Sequence, residues 1–139
     1  MTVRARYVSA FNVREHGALG DGRTLDSPAL QTAIDRCAER GGGTVFLPAG
    51  RYLTGSLFLR DNITLYLDSG AVILGSETPA DYPVIHARWE GKHQDTYAPL
   101  IAGQNLNNIA ITGRGTIDGC GAVWWEAKED NTLAHHAHA

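Results

Sequence analysis

The sequence predicts an all-β fold, a parallel β-helix whose N-terminal end is closed by one α-helix. The first observation behind this is the stretch Gly41–Gly75, GGGTVFLPAGRYLTGSLFLRDNITLYLDSGAVILG. Its short β-branched and apolar runs (Thr44–Leu47, Tyr52–Leu59, Ile63–Leu67, Ala71–Leu74) are separated by Gly, Pro, Asn and Asp, the punctuation of strands and turns. Alternation within the runs has period two. Leu57 and Leu59 face away from Phe58, and Ile63, Leu65 and Leu67 face away from Thr64 and Tyr66, so one side of each run is built to be buried. The second observation is a weak internal repeat. Asn62-Ile63-Thr64-Leu65 returns as Asn108-Ile109-Ala110-Ile111, and Gly70-Ala71-Val72-Ile73 as Gly115-Thr116-Ile117-Asp118, after 46 and 45 residues. That offset suits two turns of a solenoid, whose coils cannot bury their inner faces alone and therefore stack with like residues in rows.

Taken in order, residues 1–10 carry no clear pattern and are expected to form a leading strand or arm. Residues 11–50 form the N-terminal cap. A short strand at Phe11 runs into a turn whose glycines, Gly17, Gly20 and Gly22, meet neither the dinucleotide-binding nor the P-loop spacing and are read as turn formers. A helix over residues 27–40 follows. Asp26 or Ser27 can cap its free N–H groups, Pro28 suits its first turn, and Gly41 stops it. Leu30, Ala33, Ile34, Cys37 and Ala38 form a single apolar stripe. A stack of coils has an open end with bare strand edges, and a helix with one apolar stripe laid over that end covers them. Residues 51–127 are the first coils, with an inserted loop at 79–99, and residues 128–139 are a tail.

Composition narrows the function. With 43% apolar and 19% charged residues and 16 glycines, the chain has the balance of a soluble, turn-dense β protein. A net charge of −3 without a basic stripe excludes nucleic acid as a partner. No 18-residue apolar run occurs, so no membrane partner is expected, and MTVRARYVSA lacks the apolar core of a signal peptide. A cytoplasmic location is expected for the chain as written, and a secreted or periplasmic one if a leader precedes it. Cys37 and Cys120 make neither a disulfide framework nor a metal site and are read as buried thiols. His135, His136 and His138 lack a supporting acid or Cys and are read as tail. No metal and no cofactor are expected.

The run from Phe11 to Ser76 resembles the opening of the pectate-lyase-superfamily right-handed β-helix enzymes. Later pieces narrow the resemblance: Pro79-Ala80-Asp81-Tyr82-Pro83, Arg88-Trp89-Glu90-Gly91, Pro99-Leu100-Ile101, Asn108 to Gly119, and Trp124-Trp125. Together they are similar to the N-terminal portion of the polygalacturonase-like glycoside hydrolases of family 28, over about residues 11–127. The resemblance implies hydrolysis of galacturonan or a related pectic polysaccharide with inversion, by aspartates on neighbouring coils whose carboxyls leave room for a water between them. The family motifs that carry this chemistry are Asn-Thr-Asp, Asp-Asp, Gly-His-Gly and Arg-Ile-Lys, and none stands in these 139 residues. The chain thus matches the cap and first coils of such an enzyme, is read as truncated after them, is expected to hold no catalytic residue of its own, and is expected to be inactive alone.

Substrate contact is expected from the insertion, because binding residues concentrate in such projections. Trp89 and Tyr97 can stack on sugar rings, and Arg88, Lys92 or His93 can meet a uronate carboxylate, the guanidinium fork being best suited to it; Glu90 is counted with Arg88, Trp89, His93 and Tyr97 as a substrate-contact residue. Asp118, before Gly119, is read as a turn former, since no second acid lies one coil away. Of Trp124 and Trp125, one is expected in the core and one at the surface. The alternative function is a non-catalytic carbohydrate-binding or structural β-helix module, a pectin-binding remnant or a tailspike-like adhesin. Apolar rungs left bare at the C-terminal end of the solenoid would favour self-association.

Overall fold

The computed structural model describes residues 10–89, 92–103 and 105–119, and for residues 86–89 and 92–96 it describes the backbone path. The leading arm (1–9), Cys120, Trp124, Trp125 and the His-rich tail lie outside the described residues.

The chain winds as a right-handed parallel β-helix. Strands β1 (Phe11–Asn12), β2 (Asp21–Leu25), β3 (Gly43–Leu47), β4 (Gly50–Thr54), β5 (Leu57–Phe58), β6 (Ile63–Leu67), β7 (Ala71–Gly75), β8 (Val84–Trp89), β9 (Lys92–Tyr97), β10 (Ile101–Ala102), β11 (Ala110–Gly113) and β12 (Thr116–Asp118) accompany one helix, α1 (Ser27–Glu39). Three parallel sheets run along the solenoid: β1-β3-β6-β11, β2-β4-β7-β12 and β5-β10. The period-two reading holds. Ile63, Leu65 and Leu67 are buried while Thr64 and Tyr66 are half-exposed, and Leu57 and Leu59 are buried while Phe58 is not. Stacking places Val45 beside Leu65 and Leu65 beside Ile111, so branched aliphatic side chains fill this inward row.

The repeat is real, but it marks one turn rather than two. Val45 pairs with Leu65, a turn of 20 residues, whereas Leu65 pairs with Ile111, a turn of 46 that contains the insertion between β7 and β10. Asn62 and Asn108 keep the predicted alignment. Both sit at corners with φ of 64° and 58°, and Asn108 Nδ2 donates to Asn62 Oδ1 at 3.1 Å. The second landmark shifts by one residue. Thr116 pairs with Val72 and Ile117 with Ile73, an offset of 44. A one-residue slip exchanges the faces of a strand, and this register sets Ile117 over the buried Ile73 instead of over the half-exposed Val72. The later corner is shorter and needs glycine: Gly113 has φ of 104°, and a Cβ there would run into the Leu67 carbonyl.

The helix covers the first coil as expected, with Leu30, Ala33, Ile34 and Cys37 fully buried and Ala38 packed at the edge of the core. Burial pushes the Cys37 thiol up, which suits an inert core sulfur. Two details differ from the sequence expectation. Asp26 stands at the N-cap position without capping the helix; its carboxylate oxygens instead accept from the Leu19 and Gly20 amides, each at 3.0 Å, and fasten the Gly-rich segment to the helix start. That segment is not only turn, since Asp21–Leu25 forms β2 along β4, with Gly20 and Gly22 supplying φ of 64° and 76°. The Asp21 carboxyl is lowered to about 2 by the Thr24 and Arg23 amides that donate to it. The bare edge of β5 is closed by one side chain: Gln31 accepts from the Phe58 amide at 2.8 Å and donates to its carbonyl at 2.9 Å, standing in for a neighbouring strand. No helix of the described residues is long and apolar enough to cross a membrane.

Candidate polysaccharide-contact ribbon and its root

The insertion is not an irregular loop. A short 3-10 turn at Pro79–Asp81 leads into β8 and β9, which pair antiparallel with Val84 opposite Tyr97, His86 opposite Asp95, Arg88 opposite His93 and Trp89 opposite Lys92. Val84, Ile85, Trp89, Thr96 and Tyr97 are strand-forming types, and their propensity was masked in the sequence by the charged residues among them.

The root of this ribbon is well fixed. Ser76, buried at the end of β7, donates from Oγ to the Asp81 carboxylate and accepts from the Thr78 amide at 3.1 Å. The buried Tyr82 hydroxyl donates to the Ser76 carbonyl at 2.8 Å. Gly55, at the corner after β4, has no room for a Cβ because the Asp81 carbonyl lies against it. Ala98 donates to the Pro83 carbonyl at 2.7 Å where the ribbon closes. These contacts, together with those of Asp26 and Gln31, were not foreseen from sequence. The local Ser76-x-Thr78 and Pro79-Ala80-Asp81 spacing was the available signal, since such residues bond backbone over short separations.

The Ala98–Pro83 bond also fixes which pairs are close. Pairs alternate between hydrogen-bonded and non-hydrogen-bonded along an antiparallel ribbon, so Val84–Tyr97, His86–Asp95 and Arg88–His93 are the non-hydrogen-bonded pairs with the nearer side-chain positions. Those six positions share one face. Of the five residues expected to contact substrate, Arg88, His93 and Tyr97 therefore occupy one face of the ribbon, and Trp89 occupies the other with Lys92. Tyr97 lies at the root and packs partly against the core. Glu90 falls outside the described residues.

Asp118 ends β12 and is exposed. Its row along the outer face of the second sheet reads Leu25, Leu53, Leu74, Asp118, so no second carboxylate is stacked with it among the described residues. A cavity of about 450 Å³ opens on the last coil, lined by Leu59, Ile101, Leu106, Ile109 and Ile111, and is apolar. No group of three or more His, Cys, Asp or Glu side chains able to hold a metal occurs among the described residues.

Stacked coils, a helix over their first turn and a ribbon rooted at one corner define a capped parallel β-helix. The chain belongs to the rhamnogalacturonase A/epimerase, pectate lyase-like family, whose model matches residues 10–136. It is 38% identical over 134 residues to a probable polygalacturonase of Vitis vinifera, covering 85% of this chain and 27% of that protein. An exopolygalacturonase from Thermotoga maritima superposes with a TM-score of 0.76 at 36% identity, covering 87% of this chain and 28% of that one. Mannuronan C5-epimerase AlgE1 of Azotobacter vinelandii is 46% identical over 125 residues, 80% of this chain and 9% of that protein. The chain thus spans about a quarter or less of the length of these relatives.

Proposed function

We propose that this chain is the N-terminal part of a glycoside hydrolase that cleaves galacturonan or a related pectic polysaccharide by inversion, with the catalytic aspartates outside these 139 residues. Its own share of the work is to cap the solenoid and to present the ribbon to the polymer. The observation that carries this reading is the ribbon face on which the β8–β9 register gathers Arg88, His93 and Tyr97, held at its root by Ser76, Asp81 and Tyr82. A guanidinium there can grip a uronate carboxylate through two parallel hydrogen bonds, while a half-buried tyrosine offers a flat apolar surface to a sugar ring.

The test is titration of the purified chain with oligogalacturonate by calorimetry. We expect binding without release of reducing ends, and Arg88→Ala to weaken it by roughly tenfold, the worth of one charge-assisted hydrogen bond. Trp89→Ala should weaken it less if the polymer lies on the Arg88 face. Reducing-end release by this chain would overturn the division of labour, and absence of binding would overturn the ribbon's role.

Self-association through the last described coil is part of the same reading. It is supported by Ile109 and Ile111, which are 43% and 45% exposed beside the apolar cavity. Sedimentation velocity should show concentration-dependent dimers that Ile109→Lys disperses; a clean monomer at all concentrations would remove the idea.

A further inference from the structure

We propose that the Asp21 carboxylate guards the free edge of β2 and so keeps the first coil from pairing, strand edge to strand edge, with a second copy of the chain. Each of the three parallel sheets presents one bare strand edge at the first coil, those of β1, β2 and β5, and the helix deals with two of them. It packs against β1, and its Gln31 closes the edge of β5. β2 instead packs chiefly on β4, with Asp21, Arg23, Thr24 and Leu25 exposed. A cavity of about 350 Å³ opens between this strand and the helix start, lined by Leu19 and Leu25 and by Pro28, Ala29 and Thr32. Leu19 and Leu25 are 54% and 38% exposed. An uncovered edge with apolar side chains beside it is the arrangement that recruits a further strand.

The edge is nevertheless unfit for pairing, and one side chain makes it so. Asp21 pairs with Arg51 and Leu25 with Leu53, so residues 22–24 stand against the single residue Tyr52 and the strand bulges. Asp21 holds the bulge: its Oδ1 accepts from the Arg23 and Thr24 amides, each at 2.8 Å, and its Oδ2 from the Thr24 hydroxyl at 2.9 Å. Both amides lie between the two bonds that tie the ends of this segment to β4, where Arg51 donates to the Gly20 carbonyl at 2.9 Å and Asp26 to the Leu53 carbonyl at 2.7 Å. An incoming strand therefore meets a kinked edge, two amides already engaged and a negative charge. The same amides lower the carboxyl to about 2, so the charge is present at every ordinary pH. Without the carboxylate the two donors are left to water, and pairing with another chain can satisfy them. This guard does not depend on the polysaccharide reading.

Sedimentation velocity of the full chain carrying Ile109→Lys, so that the last coil adds nothing, reads the effect. Asp21→Ala should lower the concentration at which half the chain is dimeric by roughly tenfold or more, the weight of one or two hydrogen bonds regained between copies. Asp21→Asn should stay close to the parent, because its side-chain oxygen can accept from the same amides. Leu25→Lys added to Asp21→Ala should return the chain to the parent's behaviour by placing a charge on the opened edge. Asp21→Ala as monomeric as the parent overturns the guard. Association that Leu25→Lys leaves unmoved overturns it as well, since the contact then lies elsewhere than β2.

Discussion

Leu65→Ala should lower the unfolding free energy by about 2–5 kcal/mol, the range for emptying a fully buried leucine position. Leu65 is completely buried in an inner strand of its four-stranded sheet, with Val45 in the row on one side and Ile111 on the other. A coil is thin, so the space left by the removed methyls has few neighbours able to move in, which places the cost in the upper part of that range. Against a total of about 5–15 kcal/mol for an ordinary domain, such a loss is a large share. Ile111 lies in the same row but is 45% exposed, so Ile111→Ala should cost well under half as much. Leu65→Met, which keeps the volume, should cost less than about 1.5 kcal/mol. Urea denaturation of the three variants measures this; equal losses for Leu65→Ala and Ile111→Ala would mean that the inward row is not graded along the solenoid as described.

How much of this was legible in the sequence follows from the range of each signal. Hydrophobic periodicity is local: period two marked the inward residues of β6, and the 3.6-residue period marked the buried stripe of the helix. The Asn62–Asn108 alignment was legible because a corner that needs a left-handed residue repeats its chemistry from coil to coil. Alternation cannot count turns, however. A ribbon inserted between β7 and β10 more than doubled one coil, so a spacing of one turn looked like two. Register was equally hidden, because moving Thr116 from Ala71 to Val72 changes no local pattern and is decided only by which face Ile117 must bury. Long-range polar contacts left no periodic trace. Asp26 looked like a helix cap but directs both oxygens to amides six and seven residues earlier, and Gln31, on the helix, completes the edge of β5. In the ribbon, residue types pointed to sugar contact, while the division of Arg88, His93 and Tyr97 from Trp89 needed the pairing itself.

Gly55→Ala should destabilise the chain by about 1–3 kcal/mol, the usual cost of forcing extra volume into a packed site, and should disturb the ribbon more than the coils. Gly55 does not have a left-handed backbone, so alanine meets no conformational penalty there; the obstacle is steric. On one side the Gly55 amide donates to Ser27 Oγ at 2.7 Å, which ties the corner to the start of the helix. On the other side a Cβ meets the carbonyl carbon and oxygen of Asp81, which are backbone and cannot rotate away as the end of a side chain would. The 3-10 turn at Pro79–Asp81 must therefore move, and with it the Ser76–Asp81 and Tyr82–Ser76 hydrogen bonds that set the ribbon's angle on the solenoid. Amide chemical-shift changes should concentrate in residues 76–98, and oligogalacturonate binding should fall by more than the lost stability alone would cause. Gly119→Ala, where an added Cβ meets nothing within 4 Å, should stay within about 0.5 kcal/mol of the parent. A Gly55→Ala chain as stable as the parent, with the ribbon amides unshifted, would show that the root does not bear on Gly55 and that the ribbon's orientation is set elsewhere.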